Sequence, residues 1–394
     1  MDTQASQHRR LALYLNVGHT LDHLVLLVFP TVVLALGKEW DRPYSELLPL
    51  ALGGFIAFGA GSIPAGWIAD RWSRFGMMVI FFIGLGVATV LVGLAQTPTQ
   101  IAMALTLVGA FAAIYHPVGI AMLVANSPKV GSVLGLNGVY GNAGLAFAAL
   151  LSGALADWWH WRVAFVLPGL VSIAIGIMFW RDGARMAIAK PVAKAGGAKL
   201  PRRVLARIFA IVAVSTAAGG VIFSATTIAM PKVFDERLNA LTNSATGIGV
   251  LVCITYLIAA MAQLLVGNLL DRTSLKRIFV PVALAQVPLL ALAASTQNIW
   301  MLVVAVAMMF VVFGQIPIND AMIARYTSDE WRARAYSVRY VVSFSASACA
   351  VPLVAWAHRT YGDFNVLFWL LAAFAMLTSL AALAFPAREV AAPT

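Results

Sequence analysis

His19, Asp22 and His23 stand at i, i+3 and i+4 in the stretch His19-Thr20-Leu21-Asp22-His23. That spacing puts all three on one helix face. A carboxyl and two imidazoles gathered on one face can load, pass on and release a proton. The same residues admit a second chemistry. His-x-x-x-His has metal-ligand spacing, and Asp22 or His116 could complete the shell of a transition metal. The third reading is a hydrogen-bonded cluster that only fixes helix packing. His116 precedes Pro117, and a proline inside a helix removes one main-chain hydrogen bond and bends the chain. The imidazole and the freed carbonyl would then face a cavity, or the kink would serve packing alone.

Further polar groups interrupt otherwise apolar runs. Asn137, Tyr140 and Asn142 fall in Asn137-Gly138-Val139-Tyr140-Gly141-Asn142-Ala143-Gly144 and are candidate hydrogen-bonding partners for a small-molecule substrate. Gly135, Gly138, Gly141 and Gly144 recur every third residue and are expected to let another helix approach closely. In the second half, Asp320 follows Asn319, and Arg339 precedes Tyr340. Arg339 could balance Asp320 across helices, or grip an anionic group as a bidentate fork. If it faces a cavity, it favours an organic anion or a phosphonate-like substrate.

These residues must be carried by membrane helices. The chain has 394 residues, 61% of them hydrophobic and 11% charged, which no soluble domain of this length matches. A membrane span needs about 20 apolar residues. Twelve candidates lie at 11–36, 46–69, 76–96, 99–125, 131–156, 162–180, 206–230, 243–270, 277–295, 299–323, 333–357 and 363–386. Span 1 therefore places His19, Asp22 and His23 roughly 12–18 Å into the membrane. Ionisable groups at that depth are costly unless they face a cavity or a partner, which marks them as functional candidates.

The formal net charge is +11, but its placement argues for topology and against nucleic acid. With the N-terminus inside, only Lys38, Arg42, Arg162, Lys232, Arg237 and Arg359 fall outside. Arg339 lies in a span, and every other Lys and Arg is cytoplasmic. This bias puts both termini in the cytoplasm, with contact to anionic lipid as a secondary effect. His8-Arg9-Arg10 resembles the start of a signal peptide. The apolar stretch behind it is too long for one and carries the His and Asp residues, so it reads as a retained helix. Cys253 and Cys349 both fall in spans and offer no disulfide framework. The polar segment 181–205 divides an N-terminal bundle, 1–180, from a C-terminal one, 206–394. It reads as a flexible linker.

A charged loop signature occurs twice, half a chain apart: Gly66-Trp67-Ile68-Ala69-Asp70-Arg71-Trp72-Ser73-Arg74 and Gly267-Asn268-Leu269-Leu270-Asp271-Arg272. His116-Pro117 similarly matches Ile316-Pro317, and Trp161–Phe165 matches Phe364–Phe368. A half-chain repeat in a membrane protein implies two similar bundles. With its twelve spans, central loop and paired Gly-x-x-x-Asp-Arg loops, the chain resembles the major facilitator superfamily over nearly its whole length. That resemblance implies an all-α fold of twelve transmembrane helices in two six-helix bundles, with a mid-membrane substrate site that opens alternately to each side. It also implies conformational control by Asp70, Arg71 and Arg74, and by Asp271 and Arg272. By their own chemistry, Asp70 would face the dipole of a neighbouring helix end, and Arg71 and Arg74 would bind lipid phosphates. His19-Thr20-Leu21-Asp22-His23, Tyr115-His116-Pro117 and the Gly141-Asn142-Ala143-Gly144 element resemble the fosmidomycin-resistance type of bacterial efflux protein. Here Asp22-His23 stands where that pattern has Asn-Asp, so the acid is displaced by one position. The C-terminal half carries no such narrower likeness.

No phosphate-binding loop of the Gly-x-x-x-x-Gly-Lys-Ser/Thr type occurs, and no nucleophile is paired with a base. The expectation is a secondary transporter of a bacterial inner membrane, and not an enzyme. It would use no cofactor, couple to protons and export a small organic compound. Asp22, His19, His23 and His116 would form the coupling network. The alternative is a carrier of a transition metal or its chelate. Lipids and the transported solute are its expected partners, and a monomer its expected state.

Overall fold

The computed structural model describes residues 2–125, 130–183, 202–326 and 329–386. All regular structure among them is helical, and twelve helices are long and apolar enough to cross a membrane. They are α1 (Asp2–Trp40), α2 (Tyr44–Arg71), α3 (Arg74–Leu94), α4 (Pro98–Ala125), α5 (Val130–Trp158), α6 (Val163–Asp182), α7 (Arg202–Arg237), α8 (Ala245–Arg272), α9 (Leu275–Ser295), α10 (Asn298–Tyr326), α11 (Asp329–Tyr361) and α12 (Asn365–Leu383). Helices suit this sequence because lipid offers no hydrogen bonds, so each span must satisfy its own main chain. Most of the expected polar linker, residues 184–201, lies outside the described residues.

The chain forms two compact units. The first holds α1–α6 together with Thr242–Cys253, the opening of α8. The second holds α7, the rest of α8 and α9–α12. In the first unit α1 lies along α5, α2 along α4 and α3 along α6. In the second, α7 lies along α11 and α9 along α12, so two of these pairings recur. Residues 242–253 group with the first unit for a local reason. Asp157 at the end of α5 accepts hydrogen bonds from Ala245 N at 3.3 Å, Thr246 N at 2.6 Å and Thr246 Oγ1 at 2.7 Å. A carboxylate there satisfies main-chain donors that the first turn of α8 leaves open.

Arginines close the carbonyl ends of α3 and α9. Arg162 donates to Gly93 O at 3.1 Å and to Ala95 O. Arg237 donates to Ala293 O at 2.5 Å and to Asn365 Oδ1 at 2.9 Å. Lys276 and Arg207 do the same for α12, reaching Phe385 O and Ala384 O at 2.6 Å each. Exposed tryptophans sit at both ends of the first unit, Trp67, Trp72 and Trp180 at one and Trp158 and Trp159 at the other, the placement expected of rings at membrane–water interfaces.

Glycine sets the closest helix approaches. A Cβ at Gly109 would overlap the carbonyl oxygen of Gly54, where α4 crosses α2. The expected stripe on α5 divides in two. Gly141 packs against the His19 ring and Gly144 against the Thr20 carbonyl, whereas Gly135 and Gly138 face open space. Gly109→Ala should therefore lower the thermal midpoint of the detergent-purified protein, at a cost of about 1–3 kcal/mol. Gly138→Ala should leave that midpoint unchanged or slightly raised, as read by fluorescence-detected size exclusion after heating.

Candidate functional site

The approach of α1 to α5 builds the centre of the first unit. Gly141 has no side chain, so the His19 ring lies where a Cβ would be 2.6 Å from its Cε1. The ring then reaches the α5 main chain, and Nδ1 is 2.8 Å from the carbonyl oxygen of Asn137. One turn on, Thr20 Oγ1 donates to Tyr140 O at 2.9 Å. The Asn137 amide donates to Asn16 Oδ1 at 2.9 Å and to the Tyr115 hydroxyl at 2.7 Å. Tyr115 in turn donates to Leu15 O at 2.7 Å. This buried network ties α1, α4 and α5 together.

On α4, the bend expected at His116-Pro117 takes the form of a widened π-turn over Tyr115–Gly119. Proline supplies no N–H there, and such turns recur at functional sites. Two successive residues of this turn both meet His19. Tyr115 stacks on its ring at 4.9 Å, and His116 meets it edge-on at 5.3 Å. His23 completes the group, with its Nε2 3.0 Å from His19 Nε2 and its ring 5.6 Å from that of His116. The three imidazoles offer ligand atoms that all lie within 4.8 Å of one another. Asp22 is 0% exposed, and neither of its oxygens accepts a hydrogen bond among the described residues. The His116 imidazole is close by, its Nε2 3.5 Å from Oδ2. The four residues of the sequence reading thus converge.

In the second unit the corresponding ground is held by amides. Gln315 Nε2 donates to Asn319 Oδ1 at 3.2 Å and to Ser215 Oγ at 3.3 Å, and Ser215 donates to Asn319 Oδ1 at 2.8 Å. Gln286 donates to Gln315 Oε1 at 3.3 Å. Gln315 sits two residues before Pro317, as Tyr115 sits two before Pro117. Arg339 forms an ion pair with Asp320, which is the first of the two arrangements open at the sequence level. The Tyr340 side chain lies outside the described residues. Asn142 and the Tyr140 ring lie half-buried on α5.

At the repeated loops, Asp70 pairs with Arg74, the first residue of α3, Oδ1 lying 2.6 Å from Nη2. Arg71 lies over the Trp67 ring at 4.0 Å, and Ser73 caps α3 through Gly76 N at 3.0 Å. Asp271 and Arg272 make no matching pair among the described residues. Asn16, Ser215, Gln286 and Gln315 were not singled out from the sequence, and Tyr115 entered only through the Tyr115-His116-Pro117 resemblance. Their signal is a polar side chain inside a long apolar run, which titratable residues overshadow.

Two compact helical units, the first with a buried titratable cluster where its helices cross at glycine, describe a polytopic membrane protein. A family model described as the Major Facilitator Superfamily matches residues 24–242 and 213–394, and the chain belongs to that family. It is 30% identical over 110 residues to the puromycin resistance protein of Streptomyces alboniger, covering 27% of this chain and 22% of the relative. It is 28% identical over 167 residues to a probable 4-methylmuconolactone transporter of Cupriavidus pinatubonensis, covering 40% and 39%. Over 160 residues it is 28% identical to the multidrug resistance protein MdtG of Yersinia enterocolitica, covering 40% and 38%. The matches thus span well under half the length of these relatives. In fold, the chain resembles a bacterial homologue of the human lysosomal transporter Spinster, crystallised inward-facing. The unoccupied form gives a TM-score of 0.73 and the occupied form 0.76, both at 16% identity, over 96% of this chain and 95% and 96% of those chains. Family and fold point to transport rather than catalysis.

The Asn137 side chain lies inside the packing of α1, α4 and α5. Asn137→Ala removes two buried hydrogen bonds and strands their partners, at about 1–3 kcal/mol. A marked fall in the thermal midpoint of the ligand-free protein is expected. An unchanged midpoint would mean that the amide is not structural.

Proposed function

We propose that this chain is a proton-coupled secondary transporter that exports a small organic compound from the cytoplasm by alternating access. Its bundles, 1–180 and 206–394, are joined by 181–205, and both termini face the cytoplasm of a bacterial inner membrane. The observation that carries the reading is Asp22. A fully buried carboxyl whose oxygens accept no hydrogen bond among the described residues is costly in a membrane helix. A transport cycle gives that cost a use. Asp22 is the coupling carboxyl, with His19, His23 and His116 in its network.

The relatives named for puromycin and multidrug resistance and for a lactone favour a small organic solute. Arg339 favours an anionic one. Asp320 holds it between solutes, and a carboxylate or phosphonate of the solute takes the place of Asp320 when bound. Tyr140, Asn142 and Tyr340 are further substrate contacts, and Asn137 supports them. Asp70, Arg71 and Arg74, and the equivalent Asp271 and Arg272, control the change of state. Binding energy that differs between the two states is what moves such an equilibrium.

Purified protein in liposomes loaded with a pH-sensitive dye tests this reading. Small organic anions are added from one side, and solute-driven proton movement is recorded. At least one solute should drive proton movement, and Asp22→Asn should slow it by roughly tenfold or more. Arg339→Ala should weaken the response to anions alone. Flux that persists in Asp22→Asn removes Asp22 from the coupling. Solute flux without proton movement would mean that the coupling ion is a different one.

A further inference from the structure

The His19 ring has a fixed hydrogen position. A carbonyl oxygen only accepts, so the 2.8 Å contact to Asn137 O requires the hydrogen of His19 on Nδ1. Nε2 is left with its lone pair, and it faces His23 Nε2 at 3.0 Å. Metal-binding histidines are set in this way, with one ring nitrogen donating to a carbonyl and the other presented to the ion. Two nitrogens each about 2.0–2.1 Å from one tetrahedral ion would lie about 3.3 Å apart, close to the spacing found here. A hydrogen-bonded imidazole pair has the same spacing, but it has no need of a third ring or of a buried carboxylate beside it. Here the third imidazole, His116, brings its ligand atom within 4.8 Å of the others. Asp22 Oδ2 lies 3.5 Å from His116 Nε2. His19 and His23 stand at i and i+4 on one helix, and His116 comes from a widened turn of another.

We infer that His19, His23 and His116 bind one divalent transition-metal ion of borderline softness, Zn²⁺, Co²⁺ or Ni²⁺, with Asp22, beside His116, as the countercharge. Three neutral imidazoles and a carboxylate suit these ions and not Ca²⁺ or Mg²⁺, which take oxygen shells. The carboxylate offsets half of the ion's charge inside an apolar bundle. Asn137 is the outer partner that orients His19, held in place by Asn16 and Tyr115. An ion bound here ties α1 to α4. The inference concerns binding alone and stands apart from the identity of the solute.

The test uses purified, chelator-stripped protein in detergent, without solute or gradient, titrated with Co²⁺. Expected is the intense visible absorption of four-coordinate Co²⁺, saturating at one ion per chain and abolished by Zn²⁺. His23→Ala and His116→Ala should each remove it, and His160→Ala, on the loop after α5, should leave it intact. Weak six-coordinate absorption in the wild type, or a full signal in His23→Ala and His116→Ala, overturns the site. X-ray absorption at the zinc edge of the wild-type protein needs no variant. Imidazole scattering supports the assignment, and an oxygen-only shell refutes it. Failure of solute-driven proton flux alongside the expected Co²⁺ signal would count against the transport reading only.

Discussion

The contact between the His19 imidazole and the Asn137 main-chain carbonyl depends on a missing side chain. In a helix the residue four positions on covers the carbonyl of the residue before it, and for Asn137 that residue is Gly141. With no Cβ there, α1 comes close enough for an aromatic ring to reach the backbone of α5. The buried network at the centre of the first unit follows from this approach. It fixes the ring and its hydrogen, which fixes the partner of His23. It also lets Asn137 reach Asn16 and Tyr115. In lipid a polar group left unpaired costs several kcal/mol, so a close helix crossing is where such groups can be afforded.

The two units solve related problems with different chemistry. Where the first unit has Tyr115 and His116 in a widened turn, the second has Gln315 and Ile316 in an unbroken helix. The first gathers rings and a carboxyl. The second gathers amides and a hydroxyl, Gln286, Gln315, Asn319 and Ser215, which bond mainly to one another. An amide cluster carries no charge to move, whereas the imidazole cluster does. This asymmetry supports placing the coupling role in the first unit and leaving the second to the ion pair of Arg339 with Asp320.

Much of this was legible in the sequence. Apolar runs separated by basic loops located twelve spans, because membrane thickness sets one length for all of them. The i, i+3, i+4 spacing placed His19, Asp22 and His23 together, because helix periodicity is local. What was not legible depended on how helices meet. Glycine spacing on α5 suggested four packing positions, but only Gly141 and Gly144 meet another helix. Pro117 announced a bend and not the widened turn that lets Tyr115 and His116 both touch His19. Asp70 found its partner four residues away, in Arg74, which spacing allowed but did not select. The long reach of α1, from Asp2 to Trp40, exceeds its apolar core because helical hydrogen bonds continue past the residues that lipid requires.

The arginine clamps on α3 and α9 carry a lesson about ancestry. The carbonyl ends of these two helices stand at matching places in the repeat. Arg162 enters from the start of α6 and Arg237 from the end of α7, positions that do not correspond. What the two halves share is the unmet demand of a helix terminus, and each answers it with a residue of its own. Kinship between the halves is therefore better traced through geometric vacancies than through shared letters.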